Sequence, residues 1–281
     1  GMKQQASDSL VIGGGLAGIV TALELLRAGL RVTLVDRDSA ERFGGLALWA
    51  FGGLALVGTP LQARMKIPDT PERALADWLR FGELDAADHW PLQWARHYVE
   101  HSRAGVYDWL TAEGLKFMPA VNWVERGLNG DGNSLPRYHV VWGTSRHMTQ
   151  RLIAALHAAN TDGRLTLLHG HRVQALDRQG GQLQGAQVVD EASGAELQLC
   201  APVVVLAMGG LNGSHEEARR NWPRNRPMPT AMLNGAHPFA DGRLHHHAAD
   251  HLGARITHAG EMWNYAAGFP HPFPHFAGHG L

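Results

Sequence analysis

A three-layer α/β fold around a parallel sheet is predicted by three observations. Near the start of the chain the apolar run Ser9-Leu10-Val11-Ile12 meets Gly13-Gly14-Gly15, a helical pattern follows, and Arg31-Val32-Thr33-Leu34-Val35 delivers Asp36. Much later, Val203-Val204-Val205-Leu206-Ala207 forms a continuous apolar run of the kind buried in a parallel sheet. Between them lie stretches whose apolar residues recur at helical spacing.

Each part of the first unit has a physical job. Gly13 turns the chain sharply from strand to helix. Gly15 has no Cβ, so a pyrophosphate can approach the first N–H groups of the helix, at Leu16 and Ala17, where the helix dipole favours negative charge. Gly18 permits close packing of helix on strand. The helix continues through Ile19, Leu23 and Leu26 and ends at Gly29. Asp36, at the end of the second strand, can accept hydrogen bonds from both ribose hydroxyls of an adenosine. Strand, glycines, helix, strand and acid together predict a dinucleotide site, against the alternative of a glycine-rich turn in an ordinary βαβ unit.

Further along, Glu41 to Pro60 reads as loops around a short helix. Pro71 to Leu115 is mostly helical, and Trp78, Trp90, Trp94, Tyr98, Tyr107 and Trp109 are expected to fill a core. Asn129 to Asn133 reads as a loop, and His147 to Ala159 as an amphipathic helix. Short strands follow at Leu165 to Leu168, Arg172 to Leu176, Gln184 to Val189 and Glu196 to Leu199, with a turn at Gly180-Gly181. The central sheet is expected from the strands near Leu10, Val32, Leu167 and Val204.

Composition narrows the class of function. With 281 residues and 44% hydrophobic content, the chain can bury a sizeable core. A net charge of −1 gives no reason to expect nucleic acid or an anionic membrane as partner. Cys200 is the single cysteine, so no internal disulfide forms, and it is expected to be buried and inert. No apolar run is long enough to span a bilayer, and no signal peptide fits between Met2 and the first strand, so the cytoplasm is the expected compartment. Among 18 histidines, His247 and His251 share a helical face beside His245 and His246. No acid or cysteine completes a ligand spacing, and no metal is expected.

Three motifs carry a resemblance to the flavoprotein family of fumarate reductases, succinate dehydrogenase flavoprotein subunits and ketosteroid dehydrogenases. They are the opening fingerprint, the paired glycines in Gly44-Gly45-Leu46-Ala47-Leu48-Trp49-Ala50-Phe51-Gly52-Gly53, and Ala207-Met208-Gly209-Gly210 at the end of an apolar strand. With Trp142-Gly143-Thr144, the wording is most similar to bacterial FAD-binding dehydrogenases of the ketosteroid-dehydrogenase type. The resemblance implies a Rossmann-like three-layer FAD-binding domain over residues 1–255, with a mainly helical excursion at 61–160 and an antiparallel β crossover. Residues 256–281 would begin a truncated substrate-capping segment, because the family's chains continue well past this point. It also implies cofactor contacts at Gly44, Gly45, Leu46, Ala47, Phe51, Gly52, Gly53, Ala207, Gly209, Gly210 and Asp241, at the backbone of Val173, and at Arg37 beside Asp36. Leu46 and Ala47 stand where fumarate reductases carry Asn and Thr, and Met208 replaces a hydroxyl. No histidine follows Gly44-Gly45, so the FAD is expected to be non-covalent.

The implied activity is hydride transfer between flavin and a carbon–carbon bond next to a carbonyl or carboxylate, with a small-molecule substrate and a separate electron acceptor. Arg137 and His139, flanking Tyr138, and Tyr265, near Trp263 and Asn264, are the candidate catalytic residues. His237-Pro238 resembles a substrate-binding step of fumarate reductases, but it precedes Asp241-Gly242 and fits a loop of the cofactor domain. Two other readings are a truncated flavoprotein that binds FAD without turnover, and an NAD-dependent dehydrogenase. The latter gives no reason for Gly44-Gly45, Gly52-Gly53 or Gly209-Gly210.

Overall fold

The computed structural model describes residues 2–126, 132–265, 268–274, 276, 278 and 279, so residues 129–131 of the loop expected at Asn129 to Asn133 lie outside the described residues. The chain divides into two units, one formed by Gly1–Leu46 with Ile153–Leu281 and the other by Ala47–Leu152.

In chain order the elements are β1 (Lys3–Ala6), β2 (Ser9–Ile12), α1 (Leu16–Arg27), β3 (Val32–Val35), β4 (Gly53–Ala55), α2 (Pro60–Arg64), α3 (Pro71–Phe81), α4 (His89–His101), a π-helical stretch (Ser102–Asp108), α5 (Trp109–Ala112), β5 (Tyr138–Val140), α6 (Thr144–Ala159), β6 (Leu165–Leu168), β7 (His171–Gln179), β8 (Gln182–Asp190), β9 (Glu196–Cys200), β10 (Val203–Leu206), α7 (His215–Arg220) and α8 (Arg243–Leu252). Single 3₁₀ turns at Ala40–Arg42 and Gly45–Leu48 lie in the stretch expected to be loops around a short helix.

The first unit holds a four-stranded parallel sheet in the order β10-β2-β3-β6, with Leu10 beside Val204 on one side and Thr33 on the other. The two central strands are buried at every residue, Ser9 and Thr33 included. Ile19, Ala22, Leu23 and Leu26 form the buried stripe of α1. Between the edge strands β6 and β10 the chain builds an antiparallel sheet, β7-β8-β9, so this crossover is made of strands, as the resemblance implied. Leu176, Ala186, Val188 and Leu199 of that sheet join Leu10, Ile12, Val35 and Ala248 in one core.

The structure differs from expectation at four places. β1 is polar and was not foreseen; it pairs in parallel with β9 as an edge strand, where backbone hydrogen bonds need no apolar side chains. β10 is an edge as well, and Val203 is 53% exposed despite the apolar run. Trp90 and Trp94 are 66% and 67% exposed, and Trp78 is also exposed. The buried residues of α4 are Ala95 and Val99, so the tryptophans fall on its opposite face. Cys200, the last residue of β9, is half-buried.

The second unit contains α2 to α5 and the antiparallel pair β4-β5. α2 begins with a capping box: Thr59 accepts from the Gln62 N–H at 3.1 Å, and the Gln62 side chain accepts from the Thr59 N–H at 3.0 Å. Tyr138 on β5 lies across Gly53, where a Cβ would sit 2.3 Å from the phenol ring.

Gly18 sets the sharpest packing limit in the first unit, since a Cβ there would be 1.7 Å from the Gly13 carbonyl oxygen. Gly18→Ala is expected to cost about 3 kcal/mol, the upper end for overpacking a tight site. A urea denaturation midpoint equal to wild type would refute this packing.

Candidate nucleotide site

At the C-terminal end of the parallel sheet, three backbone segments of the first unit meet. Gly13 turns with φ +114°, and a Cβ there would lie 2.1 Å from the Ala207 carbonyl oxygen. Ala207 itself donates to the Ile12 carbonyl at 2.8 Å, which places Ala207-Met208-Gly209-Gly210 directly beyond the turn. The Gly44 N–H donates to the Gly14 carbonyl at 2.9 Å, and the absent Cβ of Gly45 leaves 3.4 Å to the Gly15 Cα. Gly15 is the N-cap of α1 and offers no side chain to the first-turn N–H groups of Leu16, Ala17 and Gly18. A Cβ on Gly15 would find only the Gly44 carbonyl oxygen, 4.0 Å away. Backbone donors at a helix N-terminus, beside open space, suit a pyrophosphate.

Asp36 stands at the end of β3. Its Oδ1 accepts the Gly14 N–H at 3.2 Å, while Oδ2 is buried with no hydrogen-bond partner. Burial pushes its pKa up to about 6; the Gly14 bond and His237 act against that rise, and Asp38 adds to it. A buried acceptor without a donor is what the two hydroxyls of an adenosine ribose would satisfy. The residues present therefore fit a dinucleotide.

Other expected positions take the following places. Val173 lies in β7 beside Val188, at a register shift. Arg37 stacks on Phe239 at 4.2 Å and reaches Asp241 Oδ2 and Glu191 Oε1, each at 3.4 Å. Asp241 Oδ1 accepts from the Arg243 N–H at 3.1 Å, where α8 begins. Gly209, with φ +76°, accepts from His245 Nε2 through its carbonyl at 2.8 Å. Leu46 is exposed and ends the first stretch of this unit, whereas Ala47, Phe51, Gly52 and Gly53 belong to the second. Phe43 and Gly14 were not singled out in the sequence. A Cβ on Gly14 would be 2.7 Å from the Phe43 ring and 2.8 Å from the Asp36 carboxyl carbon, so the middle glycine of the triplet is needed too.

Within the second unit, Arg137 and His139 are both buried. Arg137 holds Asp69 through two bonds of 2.8 and 3.0 Å and Asp77 through one of 2.7 Å. Asp77 also accepts from Arg80 and twice from Ser134. Burial alone would raise the Asp77 pKa; the bonds from Ser134, Arg137 and Arg80 outweigh it and hold it at about 2. His139 is 0% exposed. Its Nδ1 donates to the Arg137 carbonyl at 2.7 Å and its Nε2 accepts from the Thr59 hydroxyl at 2.7 Å. Burial lowers its pKa and keeps the ring neutral. Asp69 and Asp77 gave no sequence signal, because their partner lies some sixty residues away in the chain. Tyr265 is 79% exposed, near Trp263. Among the described residues no group of three or more His, Cys, Asp or Glu could hold a metal ion, and His247 Nε2 accepts from the Leu176 N–H. No helix among them is long and apolar enough to cross a membrane.

The fold and this cradle define a dinucleotide-binding flavoprotein domain. Residues 8–281 match the family of FAD binding domains; the chain belongs to that family, and FAD is its cofactor. The match sets aside the nicotinamide reading. The chain is 37% identical to a KsdD-like steroid dehydrogenase of Mycobacterium tuberculosis over 98% of its own length and 51% of the relative's. Identity to a KsdD-like steroid dehydrogenase of Mycolicibacterium smegmatis is 36%, with 98% and 53% covered. The chain thus spans about half the length of the curated relatives it matches. Among solved structures, 3-ketosteroid-Δ4-(5α)-dehydrogenase from Rhodococcus jostii in complex with 4-androstene-3,17-dione aligns with TM-score 0.74 at 24% identity, covering 91% of this chain and 55% of that one. A flavocytochrome c3 fumarate reductase aligns with TM-score 0.69 at 25% identity, covering 88% and 40%.

Two predictions follow from the charges. A group whose folded pKa is raised stabilises the fold at low pH and loses that contribution as pH rises through the folded value. Apo wild type should therefore lose stability relative to Asp36→Asn between pH 4 and pH 7, while the variant binds FAD at least tenfold more weakly; parallel stability curves would contradict the first part. Arg137→Leu leaves Asp69 buried without its cation and Asp77 with only Arg80 of its two arginines, and should cost about 3–5 kcal/mol. Calorimetry at pH 7 checks it, and the loss should shrink as pH falls through the acid range toward about 2, because Asp77 takes up its proton at a higher pH in the variant than in wild type.

Proposed function

We propose that this chain holds FAD, without covalent attachment, for a dehydrogenase that moves a hydride between the flavin and a carbon–carbon bond next to a carbonyl, its substrate a flat ketone of the steroid class. The observation that carries this reading is the 37% identity to a KsdD-like steroid dehydrogenase across nearly all of this chain, the cradle at 13–18 and Asp36 included. Bound FAD supplies the hydride acceptor or donor. The backbone of Gly13, Gly15, Gly18, Gly44 and Gly45 with the head of α1 takes the pyrophosphate, and Asp36 takes the adenosine ribose. Arg37, Leu46, Ala47, Phe51, Gly52, Gly53, Val173, Ala207, Gly209, Gly210 and Asp241 complete the proposed cofactor contacts. Of the residues considered for catalysis, Arg137 and His139 are assigned to positioning, because each has its polar atoms engaged inside the second unit. Tyr265 is the exposed hydroxyl proposed to meet the substrate. A separate redox carrier takes the electrons away.

The length comparison favours a second reading in which these 281 residues hold FAD and turn nothing over by themselves. The absorption spectrum of the purified protein, with mass identification of the nucleotide released by heat, comes first. Flavin bands and released FAD are expected, followed by reduction of an artificial acceptor when a 3-ketosteroid is added. FAD without turnover supports the second reading, and a protein that neither retains nor takes up FAD overturns both.

A further inference from the structure

The His237-Pro238 step is the one motif that the function above leaves unused, and the structure gives its histidine a defined partner. Asp38 Oδ2 accepts from His237 Nε2 at 3.0 Å. The tautomer follows from the other ring nitrogen: Nδ1 receives the Phe239 N–H at 3.1 Å, so Nε2 carries the proton. Neither side is loose. Asp38 is 8% exposed, its Oδ1 accepts from the Ser39 N–H at 2.9 Å, and its carbonyl accepts from Gly170 at 2.8 Å. The His237 carbonyl accepts from the Ala240 N–H at 3.0 Å, and the Ala240 carbonyl from the Gly213 N–H at 2.8 Å. Gly213 has no room for a side chain, since a Cβ there would be 2.5 Å from the His237 carbonyl oxygen.

The segment so anchored ends in Asp241, and a second contact fastens that end. Arg37, the residue before Asp38, lies over the Phe239 ring at 4.2 Å and reaches Asp241 at 3.4 Å. Two consecutive residues at the end of β3 therefore grip two points of the 237–241 segment, while Asp36, one residue earlier, faces Gly14.

We propose that His237 is a positioning residue for the cofactor: clasped by Asp38, it fixes Asp241 in one frame with Asp36, so that the two carboxylates meet the dinucleotide at a set spacing. The clasp rests on the FAD reading above and adds to it residues outside the cradle. A supporting contact of this kind acts by holding the residues that touch the ligand.

The test is FAD affinity, read from the fluorescence of released flavin, in wild type, His237→Ala, His237→Gln, Asp241→Ala and the double variant H237A/D241A. His237→Ala should weaken FAD binding about tenfold, or about 1.4 kcal/mol. His237→Gln, which keeps a donor for Asp38, should stay within about threefold of wild type. In the Asp241→Ala background, His237→Ala should add less than about a twofold loss, because the residue it positions is already gone. An equal loss in both backgrounds shows a general structural role and overturns the proposal, as does an unchanged affinity in H237A. Asp38→Ala breaks the same contact from the other side and replaces H237A if that variant does not fold. Wild type that holds no FAD fails earlier and removes the cofactor reading itself; wild type that holds it while H237A binds equally well removes only the clasp.

Discussion

Backbone packs directly on backbone at the head of α1, where Gly13 and Gly18 leave no space for a Cβ against Ala207 and Gly13 respectively. The three segments could not converge there with side chains in the way, and the rest of the site follows from that convergence. With the head of α1 pressed onto β2, its first N–H groups face the space beyond the sheet, and the register of β2 against β3 sets Asp36 beside Gly14. Gly44 then docks onto Gly14 by a single backbone hydrogen bond, which brings the second pair of glycines alongside the first. A side chain at either position would move a helix, a strand and a loop together.

What the sequence made legible was whatever local physics decides. β2, β3, β6 and β10 are short, mostly apolar runs bounded by turn residues, so their existence could be read directly. The strand crossover came from the family resemblance, since periodicity alone yields strands without partners. Exposure was less legible, because apolar character does not say which strand is an edge: Val203 and Val11 look alike in sequence, yet one is half exposed and the other buried. The tryptophans of α4 misled for a related reason, as a small-residue face, Ala95 and Val99, can do the packing that bulky residues were expected to do.

The candidate site divides along the same line. The glycines and Asp36 were legible because their roles depend on neighbours a few residues away. Asp38 with His237, and Arg137 with Asp69 and Asp77, pair across long stretches of chain, and nothing in a charge's own surroundings names a partner that far off. Asp38 carried a partial signal, a second acid two residues after the first at the same strand end. Two like charges so placed call for a cation or a donor nearby, which His237 supplies.

Asp77 and Asp36 are carboxylates held in opposite ways, and the contrast points to where a ligand would fit. Asp77 accepts from two arginines and from both the amide and hydroxyl of Ser134, and its acidity rises accordingly. Both of its oxygens are engaged by groups of the second unit. Asp36 is also withdrawn from water, yet one oxygen lacks a donor and its proton is held more tightly than usual. A fold selected for stability alone would have filled or removed that acceptor, because an unsatisfied buried group costs about 1–3 kcal/mol. Its persistence beside a glycine cradle suits a ligand that brings the missing donor. A donor brought by the ligand would recover the cost that folding left standing and so couple occupancy of the site to the stability of the first unit.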